Sequence, residues 1–157
     1  MEEMTCYIGT KLILGREMNL GEYNLHRGWT IPEDEDPEKE GYLVSYPDDY
    51  ISWSPKDVFE ESYRPTSEGK MSFSGALAML KRGIKVARIG WNGKGMFLFM
   101  VDGSQFAVNR APLNEIYPEG TVIDYRPHID MKTADGQIVP WVASQSDLLV
   151  DDWTTVE

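Results

Sequence analysis

Turn signals recur at short intervals along this chain and limit it to short elements. Asp102-Gly103 and Asp135-Gly136 are two-residue hairpin signals, Pro47-Asp48-Asp49 sits between alternating apolar runs, and Asn92-Gly93 interrupts a glycine-rich stretch. Runs of about four to eight residues between such signals read as antiparallel strands. The clearest helical period is Phe73, Ala76, Leu77 and Leu80, at i, i+3, i+4 and i+7, with Ser72 placed to cap the start and Gly83 to end it. The expected fold class is α+β. It is mostly antiparallel β-sheet, with a short helix opening a C-terminal module and a small α+β module before it.

The segment RPTSEGK, 64 to 70, is polar and punctuated by Pro, Ser and Gly, so it divides an N-terminal module, 1–66, from a C-terminal module, 67–157. In the first, TCYIGTKLIL reads as a strand and GYLVSYPDDYISWSP as a hairpin. Pro55 then opens a helix over KDVFEESY with Val58, Phe59 and Tyr63 on one face. In the second, IKVARIG reads as a strand and MFLFMV as a strand buried on both faces. Asp102-Gly103 returns SQFAVN antiparallel to MFLFMV. TVIDYRPHIDMKT is a long strand that Pro127 confines to an edge or a bulge, and Asp135-Gly136 turns it into QIVPWV. Ser144 with Asp147 three residues on starts a helix over SQSDLLVDD, before a terminal DWTTV.

At 157 residues and 41% hydrophobic composition the chain can bury a core. The longest apolar run, Met96 to Val101, is far short of the ~20 residues of a membrane span. With no leader-like pattern read at the start, the expectation is a protein of the cytoplasm with no membrane association. One cysteine, Cys6, and two histidines, His26 and His128, give no zinc-sized ligand set, so no metal site is expected. A net charge of −11 argues against wrapping a long nucleic acid, whose affinity comes mainly from neutralising phosphates. That charge is uneven. Residues 1–66 hold 6 basic and 15 acidic side chains, whereas 67–157 hold 9 and 11, so the second module can accept a small anion without opposing a strong field of its own.

The stretch RIGWNGKGMFLFMV, Arg88 to Val101, carries the chemistry. Gly90-Trp-Asn-Gly-Lys-Gly lacks the glycine spacing and the Ser or Thr of a P-loop. Its residues leave two readings open. Asn92-Gly93 is a turn between strands; equally, Arg88 and Lys94 offer charge-assisted donors to phosphate, the glycines let N–H groups approach an anion, and Trp91 offers a flat face to a base. No GxSxG, HExxH or Cys-His arrangement is present, His128 stands alone beside Pro127, and the acids Asp151-Asp152 and Asp130 with Asp135 read as solvated surface. No catalytic residue is expected, and the chain does not read as an enzyme. Catalysis would need paired carboxyls whose pKa values burial drives apart.

Two blocks, MSFSGALAMLKRGIKVARIGWNGKGMFLFMV and HIDMKTADGQIVPWVASQSDLLVDDW, resemble in order and spacing the phage and prophage Thoeris anti-defence family, type two, from about Met71 to the C-terminus. The first module, with YIGTK, RGW and EGYLVSYPDDYISWSPKDVFEESYRP, resembles a separate family of small phage accessory proteins, so the chain looks like a fusion of the two. The resemblance implies a sponge in the host bacterial cytoplasm. It would bind glycocyclic ADP-ribose signals made by bacterial TIR-domain proteins and hold them unhydrolysed, without a cofactor. It further implies a homotetramer with pockets between protomers and, in some relatives, capture of CBASS-type cyclic dinucleotides at a second site.

Carried over by position, Phe73, Trp91 and Met96 are expected to pack on the base and Asn92 to meet the adenine edge. Arg88 and Lys94 are expected at phosphate, and Thr133, Asp135, Ser144, Gln145 and Asp147 at ribose and phosphate. Two other functions stand beside this one: a hydrolase of the same nucleotide acting through the acidic residues, and a phage accessory or scaffold protein acting through the first module and protein partners.

Overall fold

Side-chain caps start three of the described helices and a glycine ends one of them, and cross-strand pairing sets the limits of the strands. The computed structural model describes residues 4–157, and the chain divides into two compact units, Met1–Arg64 and Pro65–Glu157.

The first unit contains β1 (Leu14–Glu17), α1 (Leu20–Arg27), β2 (Gly41–Ser45), β3 (Ile51–Pro55) and α2 (Lys56–Ser62), with the strands in the antiparallel order β1-β2-β3. The hairpin over 41–55 forms as the sequence suggests, closed by Tyr46 N–H donating to Tyr50 O at 2.9 Å. TCYIGTKLIL, by contrast, is a strand only from Leu14. Leu14 lies opposite Ser45, the last residue of β2, so the residues before it have no strand to pair with. Helix α1 has a weak apolar pattern and was not expected. A capping box starts it: Glu22 N–H donates to Asn19 Oδ1 at 2.8 Å, and Asn19 N–H donates to Glu22 Oε2 at 3.1 Å. Gly28, at φ 70°, ends it.

On α2, Phe59 stacks on Tyr42 with centroids 4.1 Å apart, while Val58 is exposed and does not share that face. Phe59 also packs over Gly15, where a Cβ would lie 2.8 Å from the ring, so this β1 position has no room for a side chain. The Tyr42 hydroxyl donates to Glu60 at 2.8 Å, and that carboxylate holds the phenol pKa up at about 12.

The second unit begins with α3 (Phe73–Leu80), whose Ser72 cap accepts from Gly75 N–H. The strands β4 (Val86–Arg88), β5 (Phe97–Val101), β8 (His128–Lys132), β9 (Ile138–Pro140) and β10 (Trp153–Thr155) form one antiparallel sheet in the order β10-β4-β5-β8-β9. Between β5 and β8 the chain makes β6 (Ser104–Ala107), α4 (Leu113–Ile116) and β7 (Val122–Tyr125), and α5 (Gln145–Leu149) precedes β10. The core lies where Ala76, Met79 and Leu80 of α3 meet Val86, Leu98 and Trp153 of the sheet.

Three expectations change here. MFLFMV is not buried on both faces: Leu98 is fully buried, while Phe97, Phe99 and Val101 on the opposite face are half-exposed. SQFAVN does not fold back on MFLFMV. The β5 strand pairs with β8 and β6 pairs with β7, so β5-β6 and β7-β8 run as one long ribbon that turns only near α4. Gly103 allows this by close approach, since a Cβ there would lie 2.9 Å from Tyr125 O and 3.0 Å from Pro127 Cδ. TVIDYRPHIDMKT accordingly breaks at Arg126-Pro127 instead of running as one strand, and Pro127 precedes an interior strand rather than lying within an edge. The Asp135-Gly136 turn, the α5 helix and the terminal strand form as read from the sequence. Overall the protein is α+β with mainly antiparallel sheets. Among the described residues no helix is long and apolar enough to cross a membrane.

Candidate functional site

The β4–β5 loop, residues 89 to 96, carries WNGKG and lies between two other loops. On one side stand the start of α5 and Asp152. On the other stands the β8–β9 turn, whose Ala134 would be 3.0 Å from a Cβ on Gly93. The Met96 thioether also fills the space over Gly93, so this loop position excludes a side chain. Gly95 has φ 70°, and Lys132 Nζ donates to its carbonyl at 3.0 Å.

Arg88 ends β4 opposite Trp153 of β10, and its guanidinium reaches Asp152 beside that tryptophan and Asp147 on α5. Its Nε donates to Asp152 Oδ1 at 2.9 Å, its Nη2 to Asp152 Oδ2 at 3.2 Å, and its Nη1 to Asp147 Oδ1 at 2.8 Å. The side chains of Arg88 and Asp147 are 14% and 12% exposed, so these are desolvated charges that need one another. Asp147 Oδ2 accepts from the Ser144 N–H at 3.0 Å and its hydroxyl at 2.7 Å, and Trp91 Nε1 stands 3.5 Å from Oδ1. Burial pushes the Asp147 carboxyl up, but the bonds from Arg88 and Ser144 outweigh it and hold its pKa below the ordinary value. Hydrogen bonds from Arg88 likewise lower Asp152, against burial and with help from Gly90 N–H, while the two carboxylates raise Arg88. The expected Ser144 and Asp147 arrangement is therefore a reciprocal capping box.

Around Trp153, which is fully buried, the half-buried rings of Phe73, Trp91 and Trp141 gather with centroids 5.5, 5.5 and 6.1 Å away. The Trp153 indole N–H donates to Asp147 O at 2.9 Å, tying α5 to this aromatic cluster.

The residues singled out from the sequence thus fall into three groups. Phe73, Trp91 and Met96 are packed, each with part of its surface open. Arg88, Asp147, Ser144, Thr133 and Asp135 are engaged within the chain. Thr133 bonds Asp135 and accepts Gln137 N–H at 3.0 Å, closing the β8–β9 turn and lowering the Asp135 pKa. Asn92, Lys94 and Gln145 are exposed and make no side-chain hydrogen bond to any described residue. Loop, turn and helix start bring Arg88, Trp91, Ser144 and Asp147 directly together. The Thr133–Asp135 turn joins them only through Ala134 beneath Gly93.

Two residues that matter here were missed. Asp152 departs from the solvated-surface reading of Asp151-Asp152: it holds both Arg88 and Gly90 N–H. An arginine inside the apolar strand VAR signals a nearby carboxylate, because a desolvated guanidinium needs a partner. Lys132, on the sheet beside the loop, had no local signal. Asp130 also departs from the surface reading: it is far from exposed and stands 3.6 Å from His128 Nε2. A groove on the β6–β7 ribbon lined by Phe106, Arg110, Pro112 and Tyr125, and an acidic cleft in the first unit lined by Glu17, Glu22, Glu38 and Glu40, include none of the candidate residues.

Residues 71–156, which contain every one of these candidate positions, match the family described as Thoeris anti-defense 2-like domain. Over 90 residues the chain is 42% identical to Thoeris anti-defense 2 of Bacillus phage SP01, an alignment that covers 55% of this chain and 96% of that relative. A match across more than half of the chain, spanning the whole β4–β5 loop, the β8–β9 turn and α5, establishes that this protein belongs to the Thoeris anti-defense 2-like family.

Proposed function

We propose that this chain is a phage anti-defence protein that binds a glycocyclic ADP-ribose signal of the Thoeris system and sequesters it without cleaving it. The observation that carries this reading is the site itself. A half-buried indole, Trp91, packs edge-on against the buried Trp153, with the unengaged polar side chains of Asn92 and Lys94 on the same loop and that of Gln145 at the start of α5. An indole face suits a base, an amide suits an adenine edge, and an ammonium suits a pyrophosphate. The carboxylates nearest to Trp91 favour binding over hydrolysis. Both oxygens of Asp147 and of Asp152 already accept hydrogen bonds from Arg88, Ser144 or Gly90 N–H, and both carboxyls lie below the ordinary pKa, so neither is placed to act as a general acid or base.

A sponge has no turnover and must bind tightly; a nanomolar dissociation constant corresponds to about −12 kcal/mol. Reaching it favours a preformed site, because ordering costs then fall. The open surface around Trp91 fits a pocket completed by a second protomer, which is how the homotetramer implied by the sequence resemblance enters this reading. Capture of a cyclic dinucleotide at a second site belongs to the same reading, and calorimetric titration with cyclic dinucleotides, with and without glycocyclic ADP-ribose bound, tests it.

The experiment incubates the full chain with glycocyclic ADP-ribose, removes free ligand and then denatures the protein. Recovery of intact signal at no more than one per site is expected. Release of cleavage products, or turnover beyond the number of sites, would make the protein a hydrolase instead.

A further inference from the structure

Gly90 N–H, the first amide of the glycine loop, is not open to an anion, because it donates to Asp152 Oδ2 at 3.1 Å. Arg88 is no freer. All three of its nitrogens donate, with three of the five N–H groups directed at two carboxylates that lie 59 and 64 residues further along the chain. Asp147 in turn accepts both Ser144 donors, and its carbonyl accepts the Trp153 indole N–H. An unbroken chain of hydrogen bonds therefore runs from the glycine loop through Asp152, Arg88 and Asp147 to the first turn of α5. A guanidinium can do this because its planar fork grips Asp152 with two nitrogens and leaves a third for Asp147; a lysine ammonium has no such geometry.

We infer that Arg88, Asp147 and Asp152 are positioning residues for the signal site: they clamp the Trp91–Gly95 loop to the start of α5, and Arg88 does not itself touch the ligand's phosphates. This rests on the sponge reading above. It leaves the phosphate charge to Lys94, which is exposed on the loop, and to Lys132, whose Nζ lies beside Gly95. The clamp also gives the low-exposure Arg88 and Asp147 charges a role in placing the loop, since breaking such a pair leaves an uncompensated charge and so penalises other arrangements.

The test titrates glycocyclic ADP-ribose into the full chain across a salt series, for the natural protein and for Arg88→Lys, Arg88→Gln, Asp152→Asn and Lys94→Gln. Amide exchange over residues 89 to 95 is followed without ligand. Arg88→Lys and Asp152→Asn should each weaken binding about tenfold or more, as misplacement of a binding wall does. They should keep the salt dependence of the natural protein and speed loop exchange, whereas Lys94→Gln should flatten the salt dependence. Asp152→Asn preserves shape, so a melting curve separates loosening of the loop from failure to fold. If Arg88→Lys keeps full affinity while Arg88→Gln flattens the salt dependence, Arg88 is a direct phosphate contact and the clamp is wrong. If the natural protein does not bind the signal, the sponge reading fails. The exchange arm still decides the clamp, because unchanged exchange at Gly90 in Asp152→Asn would overturn it.

Discussion

Arg88 and its two aspartates make the second unit sensitive to acid. Both carboxyls are held below the ordinary range, Asp152 chiefly by the Arg88 hydrogen bonds and Asp147 by Arg88 and Ser144 against its burial. A carboxyl whose folded pKa is depressed binds its proton more weakly in the folded than in the unfolded chain. Its stabilising effect is therefore complete above the unfolded value of about 4 and is lost as pH falls through the lower folded value. Scanning calorimetry from neutral to acid pH should show the second unit's melting temperature falling once the pH drops below about 4, and a shallower fall in Asp152→Asn. The caps at Ser72 and Ser144 were legible in the sequence because a cap acts within three residues. The partners of Arg88 were not, since nothing near it in the chain names an acid some sixty positions away.

At the level of elements, α3 is the one whose sequence pattern and packing agree most closely. Ala76 and Leu80, from the i, i+3, i+4, i+7 set, are fully buried against Val86, Leu98 and Trp153, joined by Met79. Leu80→Ala should destabilise the second unit by about 2 to 5 kcal/mol, read from the midpoint of chemical denaturation, because the sheet below is too rigid to fill the cavity. The β5–β6 junction shows the opposite case. Asp102-Gly103 has the composition of a hairpin turn, but Gly103 serves there to let Tyr125 and Pro127 pass closely. A glycine in a strand marks either event, and only the pairing partner distinguishes them. Helix α1 carries no apolar stripe in its sequence, and its local signal is the Asn19–Glu22 capping box alone.

For the whole molecule, the two units differ sharply in how much apolar surface each encloses. Among the described residues of the first, Tyr23 and Val44 are the buried apolar side chains, whereas the second encloses Met71, Ala76, Met79, Leu80, Val86, Ala87, Leu98, Val108 and Trp153. A fragment from Pro65 to Glu157 should therefore unfold cooperatively in a thermal melt and keep the affinity of the full chain for glycocyclic ADP-ribose. A Met1–Arg64 fragment should melt at a distinctly lower temperature, as a unit with so small a core does. If the longer fragment loses binding, activity depends on the first unit, and the accessory-protein alternative gains the ground.

The sequence by itself determined the hairpin around Pro47-Asp48-Asp49 and the turn at Asp135-Gly136, where three of the helices begin and that the second unit carries the family's two blocks. These are local properties, set by φ preferences and by bonds spanning a few residues. Tertiary structure alone decided that β5 lies beside β8, that β10 closes the sheet against β4 and that Arg88 reaches Asp147 and Asp152. Those outcomes depend on burying the α3 face and on matching desolvated charges, and both are settled between residues far apart in the chain.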